Sequence, residues 1–279
     1  MLQSTLKAAV SFEGIGVHSG NPCRITVCPR DENGVAFRTK KDSIEALYNM
    51  ASETTMCTKL SGANGSSVST IEHLSSAMYG LGITGAVVDV EGDEIPILDG
   101  SALPFVEAFL ATGIEQLSHR RRVCKLMKPV KVQDGKKWAS LTPADSFSIN
   151  IKCDFTQKGL KTDPMRFDFS KDNFLKEIAP ARTFGFFADM DFLRKNNLAS
   201  GASLENTLVF DDKGNPLNEN GLRLPNEPIR HKILDVIGDL SLIGGAIMAR
   251  FDAFCPSHKL NNQIVFALFE NKDNFEMID

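Results

Sequence analysis

The second half of the chain contains the run Arg230-His231-Lys232-Ile233-Leu234-Asp235-Val236-Ile237-Gly238-Asp239. Its apolar residues recur at helical spacing, and they predict a helix over about 229–243. His231, Asp235 and Asp239 are spaced by four residues and therefore lie on one face of that helix, on successive turns. A histidine and an aspartate one turn apart offer the nitrogen and oxygen ligands that zinc accepts. The alternative is a surface helix on which the two side chains form an ion pair, but the third carboxylate in line favours a shared partner.

A histidine in the first half of the chain is the candidate for a third metal ligand. His73 follows Glu72 at the start of a predicted helix, which opens after the glycine- and serine-rich loop 61–67 and ends near Gly82. A catalytic zinc ion has three protein ligands and one open position. Because adjacent helical residues diverge by about 100°, Glu72 would point beside the metal, where it can act as a general base. The alternative for Glu72 is structural, since Ser69 and Glu72 fit a capping box.

Two further histidines are candidates for the same site. His258 follows Pro256 and Ser257 at the start of the last predicted helix. Asp239 has no assigned partner on the metal-facing side of its helix, and a carboxylate is the group that orients and protonates a catalytic imidazole. A helix-terminal histidine without a catalytic task is the alternative. His18 lies in a glycine-rich turn and can approach the site, although the glycine spacing matches no phosphate-binding loop.

The stretch Ala181-Arg182-Thr183-Phe184 precedes an apolar segment. Thr183 can donate a hydrogen bond to a developing oxyanion. Phe186 and Leu198 belong to the apolar segment, which can line a channel for an acyl chain. The alternative is that these residues form ordinary core.

The two halves of the chain follow a similar plan. Aligning His73 with His231 also aligns Gly80 with Gly238, and each predicted helix runs through a glycine into an apolar strand. This weak internal repeat favours an α+β fold with two domains of similar build. The predicted domains are residues 1–120 and 121–279. The predicted strands cover residues 4–12, 23–28, 35–38, 86–90, 123–132, 137–141, 147–151 and 246–254, and further helices are predicted over about 103–111 and 261–269.

Charge and cysteine content narrow the class of protein. The formal net charge of -4 argues against a nucleic-acid-binding protein, which carries a broad basic surface. The first residues lack a charged region followed by an apolar stretch, so no secretory signal is expected. No run of about 18 apolar residues is present to span a bilayer. The 6 cysteines form no CxxC pair and are expected to be free thiols in a reducing compartment, the cytoplasm.

Together these stretches resemble the zinc-dependent UDP-3-O-acyl-N-acetylglucosamine deacetylases of lipid A biosynthesis. The matches occur in the family's order and span nearly the whole chain. They are Glu13-Gly14-Ile15-Gly16-Val17-His18-Ser19-Gly20, Ser69-Thr70-Ile71-Glu72-His73-Leu74, Ile95-Pro96-Ile97-Leu98-Asp99-Gly100-Ser101, Ala181-Arg182-Thr183-Phe184, and Arg230-His231-Lys232-Ile233-Leu234-Asp235 with its extension Gly238-Asp239-Leu240.

The resemblance implies hydrolysis of the 2-acetamido group of UDP-3-O-acyl-N-acetylglucosamine, with release of acetate. Zn²⁺ is the implied cofactor, although a His-His-Asp site also suits Fe²⁺. By resemblance, the metal ligands are His73, His231 and Asp235, and the general base is Glu72. The resemblance also implies that His258 is the protonated histidine, with Asp239 as its carboxylate partner, and that Thr183 is the oxyanion donor. The implied substrate contacts include Lys232 and Phe184, and His18 is implied to be a non-essential histidine near the metal.

The family's fold implies two α+β layers packed face to face, with the active site between them. Each domain is expected to carry an insert, a small β insert in the first and a segment at about 186–206 in the second. With Phe186 and Leu198, the second insert would line the passage for the 3-O-acyl chain. The expected partner is the UDP-linked substrate alone, with no nucleic acid and at most peripheral membrane contact, and the chain is expected to be a monomer.

Some positions depart from the family's pattern. Ser257 stands in place of the usual glycine, and Lys259 in place of a small apolar residue, which affects the geometry expected of His258. Residues 154–158 lack the family's His-Pro pair, so no nucleotide contact is predicted there. Two alternative functions stay open: a catalytically silent acyl-nucleotide-sugar binding protein, and a zinc hydrolase of another acylated amide.

Overall fold

Strands of the first half form where buried and exposed side chains alternate. Cys23, Ile25 and Val27 are buried in the strand Pro22–Pro29, while the residues between them are more exposed, as in a sheet with one covered face. The computed structural model describes residues 2–196 and 198–278. The strands of this half are β1 (Leu2–Leu6), β2 (Val10–Ile15), β3 (Pro22–Pro29), β4 (Gly34–Arg38), β5 (Ser43–Glu45), β6 (Ala51–Glu53), β7 (Lys59–Ser61), β8 (Ser67–Val68), β9 (Gly85–Glu91) and β10 (Ile114–Arg120).

Five of these strands form one sheet in the order β2-β3-β9-β4-β5. Two helices accompany it, α1 (Glu72–Leu81) and α2 (Leu103–Thr112). Phe12 of β2 contacts Phe105 and Phe109 of α2 edge-on, with ring centroids 4.8 and 5.9 Å apart. Strands β6, β7 and β8 form a separate small sheet, and β1 pairs with β10.

The second half is built on a seven-stranded sheet with a long central strand. Its main path is β12-β13-β18-β11-β19, and β14 joins β18 to β15. The strands are β11 (Val123–Leu126), β12 (Val130–Asp134), β13 (Lys137–Pro143), β14 (Ser148–Lys152), β15 (Met165–Asp168), β16 (Phe184–Phe186), β17 (Leu208–Phe210), β18 (Ala246–Phe254) and β19 (Phe275–Ile278). The helices are α3 (Lys171–Asn173), which continues as a π-helical turn (Phe174–Ile178), α4 (Met190–Lys195), α5 (Glu227–Leu240) and α6 (His258–Phe269).

The predicted α+β class is confirmed, and most predicted elements are present. Two predicted strands are wrong, because each is two strands in the structure. The stretch 4–12 divides into β1 and β2, which belong to different sheets, so the chain bends between Leu6 and Val10. The stretch 123–132 divides into β11 and β12, separated by three residues that end with Pro129. Among the described helices, none is long and apolar enough to cross a membrane.

The capping box predicted at the start of α1 is also wrong. Ser69 pairs with Glu94 in an isolated β-bridge, and its backbone N–H and C=O bond to Asp93 and Ile95. The N-cap position of α1 is Ile71, which makes no side-chain cap. Glu72 is therefore not held by Ser69, and its carboxylate is directed elsewhere.

Helices α1 and α5 pack against each other at very short range. A Cβ atom on Gly238 would lie 2.1 Å from the backbone oxygen of Glu72, so only glycine permits the observed approach. Gly80, the aligned glycine of α1, instead faces Phe174, whose ring would lie 2.2 Å from an added Cβ. The two glycines of the internal repeat thus allow different contacts, and Gly238 brings the start of α1 against the last turn of α5.

Candidate metal centre and active site

Three buried side chains from α1 and α5 meet where these helices pack. His73 is the second residue of α1, and His231 and Asp235 lie one turn apart on α5. One ligand atom of each lies within 4.8 Å of the others. Asp235 Oδ1 is 3.2 Å from His231 Nε2 and 4.0 Å from His73 Nε2. The structure therefore brings together the three residues predicted to bind metal.

The hydrogen bonds around this cluster leave its inward atoms unpaired. His231 Nδ1 lies 3.0 Å from the backbone oxygen of Ala181; that oxygen accepts, so the proton is on Nδ1 and the lone pair is on Nε2. Within the described residues, the buried Asp235 Oδ1, which faces Nε2 of both imidazoles, has no hydrogen-bond partner. The other nitrogen of His73, Nδ1, is also buried without a partner there. Unpaired buried acceptors are costly. Two imidazoles and one carboxylate around a common point match the donor set of a divalent metal ion such as zinc.

The charge states of these groups suit metal binding. Burial, reinforced by His231, lowers the pKa of His73 to about 3, which keeps the imidazole neutral. Burial alone would raise the pKa of Asp235, but contacts with His231 and Lys232 hold it well below its usual value. Asp235 is therefore ionised, and Lys232 Nζ donates to its other oxygen, Oδ2, over 3.0 Å.

Glu72 and His258 form a buried pair beside the cluster of His73, His231 and Asp235. Glu72 Oε1 is 3.5 Å from His258 Nε2, and both side chains are almost fully buried. Burial raises the pKa of Glu72 above its usual value, against the opposing charge of His258. Burial alone would lower the pKa of His258, but Asp239 and Glu72 raise it to about 10. The pair thus combines a carboxylate that can accept a proton with an imidazolium that can donate one.

Asp239 occupies the third position on the inward face of α5 and holds the other side of the His258 ring. Its Oδ2 lies 2.8 Å from His258 Nδ1 and accepts from Asn261 Nδ2 at 2.8 Å. The four-residue spacing that places Asp239 on the same helix face as His231 and Asp235 also brings it to His258. Ser257, the departure from the family's glycine, is the N-cap of α6, and its hydroxyl accepts from the backbone N–H of Leu260.

A buried ion pair fixes the loop that carries Thr183. Glu227, the first residue of α5, accepts from the backbone N–H and the guanidinium of Arg182 at 2.9–3.1 Å. The backbone N–H of Thr183 donates to Gly100 over 2.7 Å. This loop also supplies the Ala181 carbonyl that holds His231. The ion pair therefore supports the His73–His231–Asp235 cluster as well as Thr183.

His18 is held near the cluster by a buried carboxylate. Glu94 accepts from the backbone N–H groups of His18 and Ser19 at 3.0 and 2.9 Å, and from the hydroxyl of Thr70 at 2.8 Å. Burial lowers the pKa of His18, although the charge of Glu94 opposes this. Thr70 has a positive φ of 59°, so Glu94 also secures the strained turn that leads into Glu72.

A cavity of about 600 Å³ opens onto these residues. Every predicted site residue except Asp239 lines it; Asp239 lies behind His258. Asn197, inside the predicted passage segment, lies outside the described residues. The predicted residues on the cavity wall are His18, Glu72, His73, Thr183, Phe184, Phe186, Leu198, His231, Lys232, Asp235 and His258.

The cavity wall beyond the His73–His231–Asp235 cluster is aromatic and apolar. Lys232 Nζ lies 5.8 Å from the centre of the Phe184 ring, and contact with Asp235 raises the pKa of Lys232 although burial alone would lower it. Phe184 and Phe186 belong to β16, which pairs in parallel with β17. Apolar side chains from α4, the loop after it and the segment after β17 complete the wall: Met190, Leu193, Leu198, Leu204 and Leu217.

Three buried polar residues of the site were not found from the sequence. Thr58 and Glu94 show no local signal, because each bonds to groups far along the chain. Glu227 shows a weak one, since an acidic residue in the first turn of a helix is favourable. Its actual partner, Arg182, is 45 residues away.

Comparison with known proteins gives one consistent answer. The family model described as UDP-3-O-acyl N-acetylglycosamine deacetylase matches residues 3–270. Curated relatives named UDP-3-O-acyl-N-acetylglucosamine deacetylase include those of Shewanella halifaxensis, 42% identical, and Shewanella denitrificans, 43% identical. Each alignment covers 100% of this chain and 93% of the relative. The chain belongs to the UDP-3-O-acyl-N-acetylglucosamine deacetylase family.

Proposed function

We propose that this chain hydrolyses the 2-acetamido group of UDP-3-O-acyl-N-acetylglucosamine, releasing acetate and the free amine, an early step of lipid A biosynthesis. The observation that carries the proposal is the buried His-His-Asp cluster next to the Glu72–His258 pair, both on the wall of one apolar cavity. Membership of a deacetylase family supports the same reaction.

Zinc is the proposed cofactor, held by His73, His231 and Asp235. When bound, zinc supplies a Lewis acid for the acetamido carbonyl and lowers the pKa of water toward about 7. Iron(II) is the second candidate, because the same donors accept it. Elemental analysis of protein purified without added metal distinguishes the two.

Glu72 is the proposed general base. Its Oε1 lies 3.5 Å from His258 Nε2, while Oε2 accepts from the backbone N–H of Thr58 at 3.1 Å. As the new C–O bond forms, Oε1 takes the proton of the attacking water. The raised pKa of Glu72 lets the buried carboxyl group hold that proton.

His258 is the proposed general acid. Its Nδ1–H donates to Asp239, so Nε2–H is free to deliver a proton to the amide nitrogen as the C–N bond breaks. The raised pKa of His258 keeps the ring protonated at neutral pH. The hydroxyl of Thr183 is proposed to donate to the carbonyl oxygen as negative charge develops on it.

The rest of the cavity is proposed to hold the glycolipid. Lys232 and Phe184 would contact the polar sugar end, and His18 would lie near the metal without an essential role. Phe186, Leu198 and the segment at about 186–206 would line the passage for the 3-O-acyl chain. A volume of about 600 Å³ is in the usual range for sites that enclose a small ligand.

The proposed domains, residues 1–120 and 121–279, divide the chain between β10 and β11. The first would supply Glu72 and His73, and the second His231, Asp235 and His258, so neither alone would be active. We propose that the protein acts in the cytoplasm as a monomer, with the UDP-linked substrate as its partner. Light scattering of the purified protein tests the monomer.

The test of the proposed function is acetate release from UDP-3-O-acyl-N-acetylglucosamine, measured before and after chelation. The Glu72→Ala variant is expected to lose activity about 1,000-fold or more while its metal content stays that of wild type. Glu107→Ala, an exposed glutamate on α2, is the matched control and should retain full activity.

Each alternative predicts a different result. A silent binding protein would bind the substrate with metal present and release no acetate. A hydrolase of another acylated amide would be inactive on this substrate but active, with metal and Glu72 dependence, in a screen of N-acyl sugars. Either result would overturn the proposed function.

A further inference from the structure

Thr58 is a fully buried polar residue between the small-sheet strands β6 and β7. It is 0% exposed, and it is not part of the residue set predicted from the sequence. All three of its polar groups are engaged. Its carbonyl oxygen accepts from the backbone N–H of Ile71, the residue before α1, at 3.3 Å. Thr58 is therefore fixed against the start of the helix that carries Glu72 and His73.

The other two groups of Thr58 reach two different carboxylates of the site. Its backbone N–H donates to Glu72 Oε2 over 3.1 Å. Its hydroxyl donates to Asp239 Oδ1 over 2.6 Å, across 181 residues of sequence. Within the described residues, these are the carboxylates on either side of the His258 ring.

Each contact leaves one carboxylate oxygen for His258. With Oε2 of Glu72 bonded to Thr58, Oε1 is the oxygen directed at His258 Nε2, 3.5 Å away. With Oδ1 of Asp239 bonded to Thr58, Oδ2 is the oxygen that accepts from His258 Nδ1 at 2.8 Å. Thr58 thus holds the far oxygen of both carboxylates, while Asn261 also donates to the near oxygen of Asp239. Through these carboxylates Thr58 helps to direct the imidazole ring.

We propose that Thr58 is a positioning residue of the deacetylase, whose hydroxyl orients Asp239 and thereby aims His258 Nε2–H at the leaving amine. The inference rests on the proposed function for its consequence in catalysis. Valine has nearly the same shape as threonine and keeps the backbone N–H, so the bond to Glu72 persists in Thr58→Val. Only the hydroxyl bond is lost, which leaves a buried carboxylate oxygen without a donor.

The test compares steady-state kinetics of Thr58→Val and Thr58→Ser with a matched control. Thr58→Val is expected to lower kcat by about 10- to 100-fold, which is the effect of one hydrogen bond to a charged group. KM should change by less than about twofold, because Thr58 is not among the residues that line the cavity. Thr58→Ser keeps the hydroxyl and should recover kcat to within about threefold of wild type. Thr58→Ala is the second hydroxyl-free variant if valine does not fit.

Thr5→Val is the control for loss of a buried threonine. Thr5 is also 0% exposed, and its hydroxyl also makes two hydrogen bonds with backbone groups, to Gly85 O and from Arg30 N–H. It lies outside the cavity, so Thr5→Val is expected to lower the melting temperature without lowering kcat. An equal loss of kcat in both variants would mean a purely structural role for Thr58 and would overturn the proposal.

Two other kinetic results would also overturn it: a kcat of Thr58→Val within about twofold of wild type, or a serine variant as impaired as the valine variant. A readout without substrate separates this inference from the proposed function. The His258 Nδ1–H proton, assigned by its absence in His258→Gln, should change its NMR chemical shift in Thr58→Val and keep it in Thr5→Val. If wild type releases no acetate, the proposed function fails, and the chemical shift of this proton alone decides whether Thr58 positions the His258 ring. An unchanged shift in Thr58→Val refutes the positioning role.

Discussion

At the scale of single residues, Asp239 controls the proton on His258. The negative charge of Asp239 is the largest of the effects that raise the pKa of His258, to about 10. His258 must be protonated to act as an acid, so activity should fall as the pH rises through that pKa. In Asp239→Asn the charge is gone, and the pKa of His258 falls.

The expected result for Asp239→Asn is an alkaline limb of the kcat profile that moves to lower pH by about one unit or more, with kcat at neutral pH lower by about 10-fold or more. The measurement is kcat between pH 6 and pH 11. Asp273→Asn, an exposed aspartate paired with Lys128, is the control and should leave the profile in place. An unmoved alkaline limb in Asp239→Asn would show that His258 is not the group that titrates there.

Residues whose partners are close in sequence are the ones that could be predicted. His231, Asp235 and Asp239 share a helix, so their common face follows from a spacing of four. The sequence leaves Glu72 open to two interpretations, because a capping box with Ser69 is by itself a sufficient reason for its presence. Tertiary structure excludes the capping box, since Ser69 pairs in a bridge with Glu94 and the carboxylate of Glu72 accepts from Thr58. The role of Glu72 as a base stays a proposal. Thr58 itself could not be found, because its contacts depend on how two distant segments pack.

At the scale of elements, the loop 181–183 depends on the first turn of α5. Glu227 accepts three hydrogen bonds from Arg182 and one from the backbone of Arg223. Burial alone would raise the pKa of Glu227, but the bonds from Arg182 lower it. The ionised carboxylate therefore stabilises the fold at pH values above its ordinary pKa, and this contribution is lost as the pH falls through the lowered one.

Glu227→Gln keeps the shape and removes the charge, which leaves the Arg182 guanidinium buried without a counter-ion. We expect the free energy of unfolding to fall by about 3 kcal/mol at pH 7, as for a broken buried ion pair, and kcat to fall because Ala181 and Thr183 shift. Denaturant unfolding at pH 7 and at pH 4 measures the first effect. The difference between wild type and variant should shrink at pH 4.

Glu177→Gln is the matched control at the same end of α5. Glu177 pairs with Arg230, but its side chain is 42% exposed, so the expected loss is below about 1 kcal/mol. Equal losses for Glu177→Gln and Glu227→Gln would contradict the assignment of the Arg182–Glu227 pair as the support of the loop.

Element boundaries could be predicted where they depend on local chemistry. β18 was predicted over its full extent, Ala246–Phe254, because its apolar run is bounded by glycine and proline. The sequence predicts a single strand over 4–12, because the composition of this stretch does not show that β1 and β2 join different sheets. Strand partners are a property of the tertiary fold, and so is the parallel pair β16–β17.

At the scale of the whole molecule, the site exists only where α1 and α5 meet. The first helix carries Glu72 and His73, and the second carries His231, Asp235 and Asp239. The sequence indicated two similar halves and the three residues that cluster there, His73, His231 and Asp235, since each lies in a predicted helix. It did not indicate how closely the helices approach, because the contact of Gly238 with the Glu72 backbone joins positions far apart in the chain.

Gly238→Ala tests this contact between the two halves. The added Cβ would lie 2.1 Å from the backbone oxygen of Glu72, and a backbone atom cannot move aside as the end of a flexible side chain can. The helices must separate, which we expect to lower the free energy of unfolding by about 2 kcal/mol or more and to move Glu72 and His73 away from His231 and Asp235. Metal affinity and kcat should therefore each fall by about 10-fold or more. Gly185→Ala is the control for stability and should unfold like wild type, because a Cβ added there meets no atom of the described residues within 4 Å. Calorimetry with and without metal, together with a metal titration, measures these effects. If Gly238→Ala keeps its metal affinity while losing stability, the close approach of α1 and α5 serves packing alone and the site tolerates their separation.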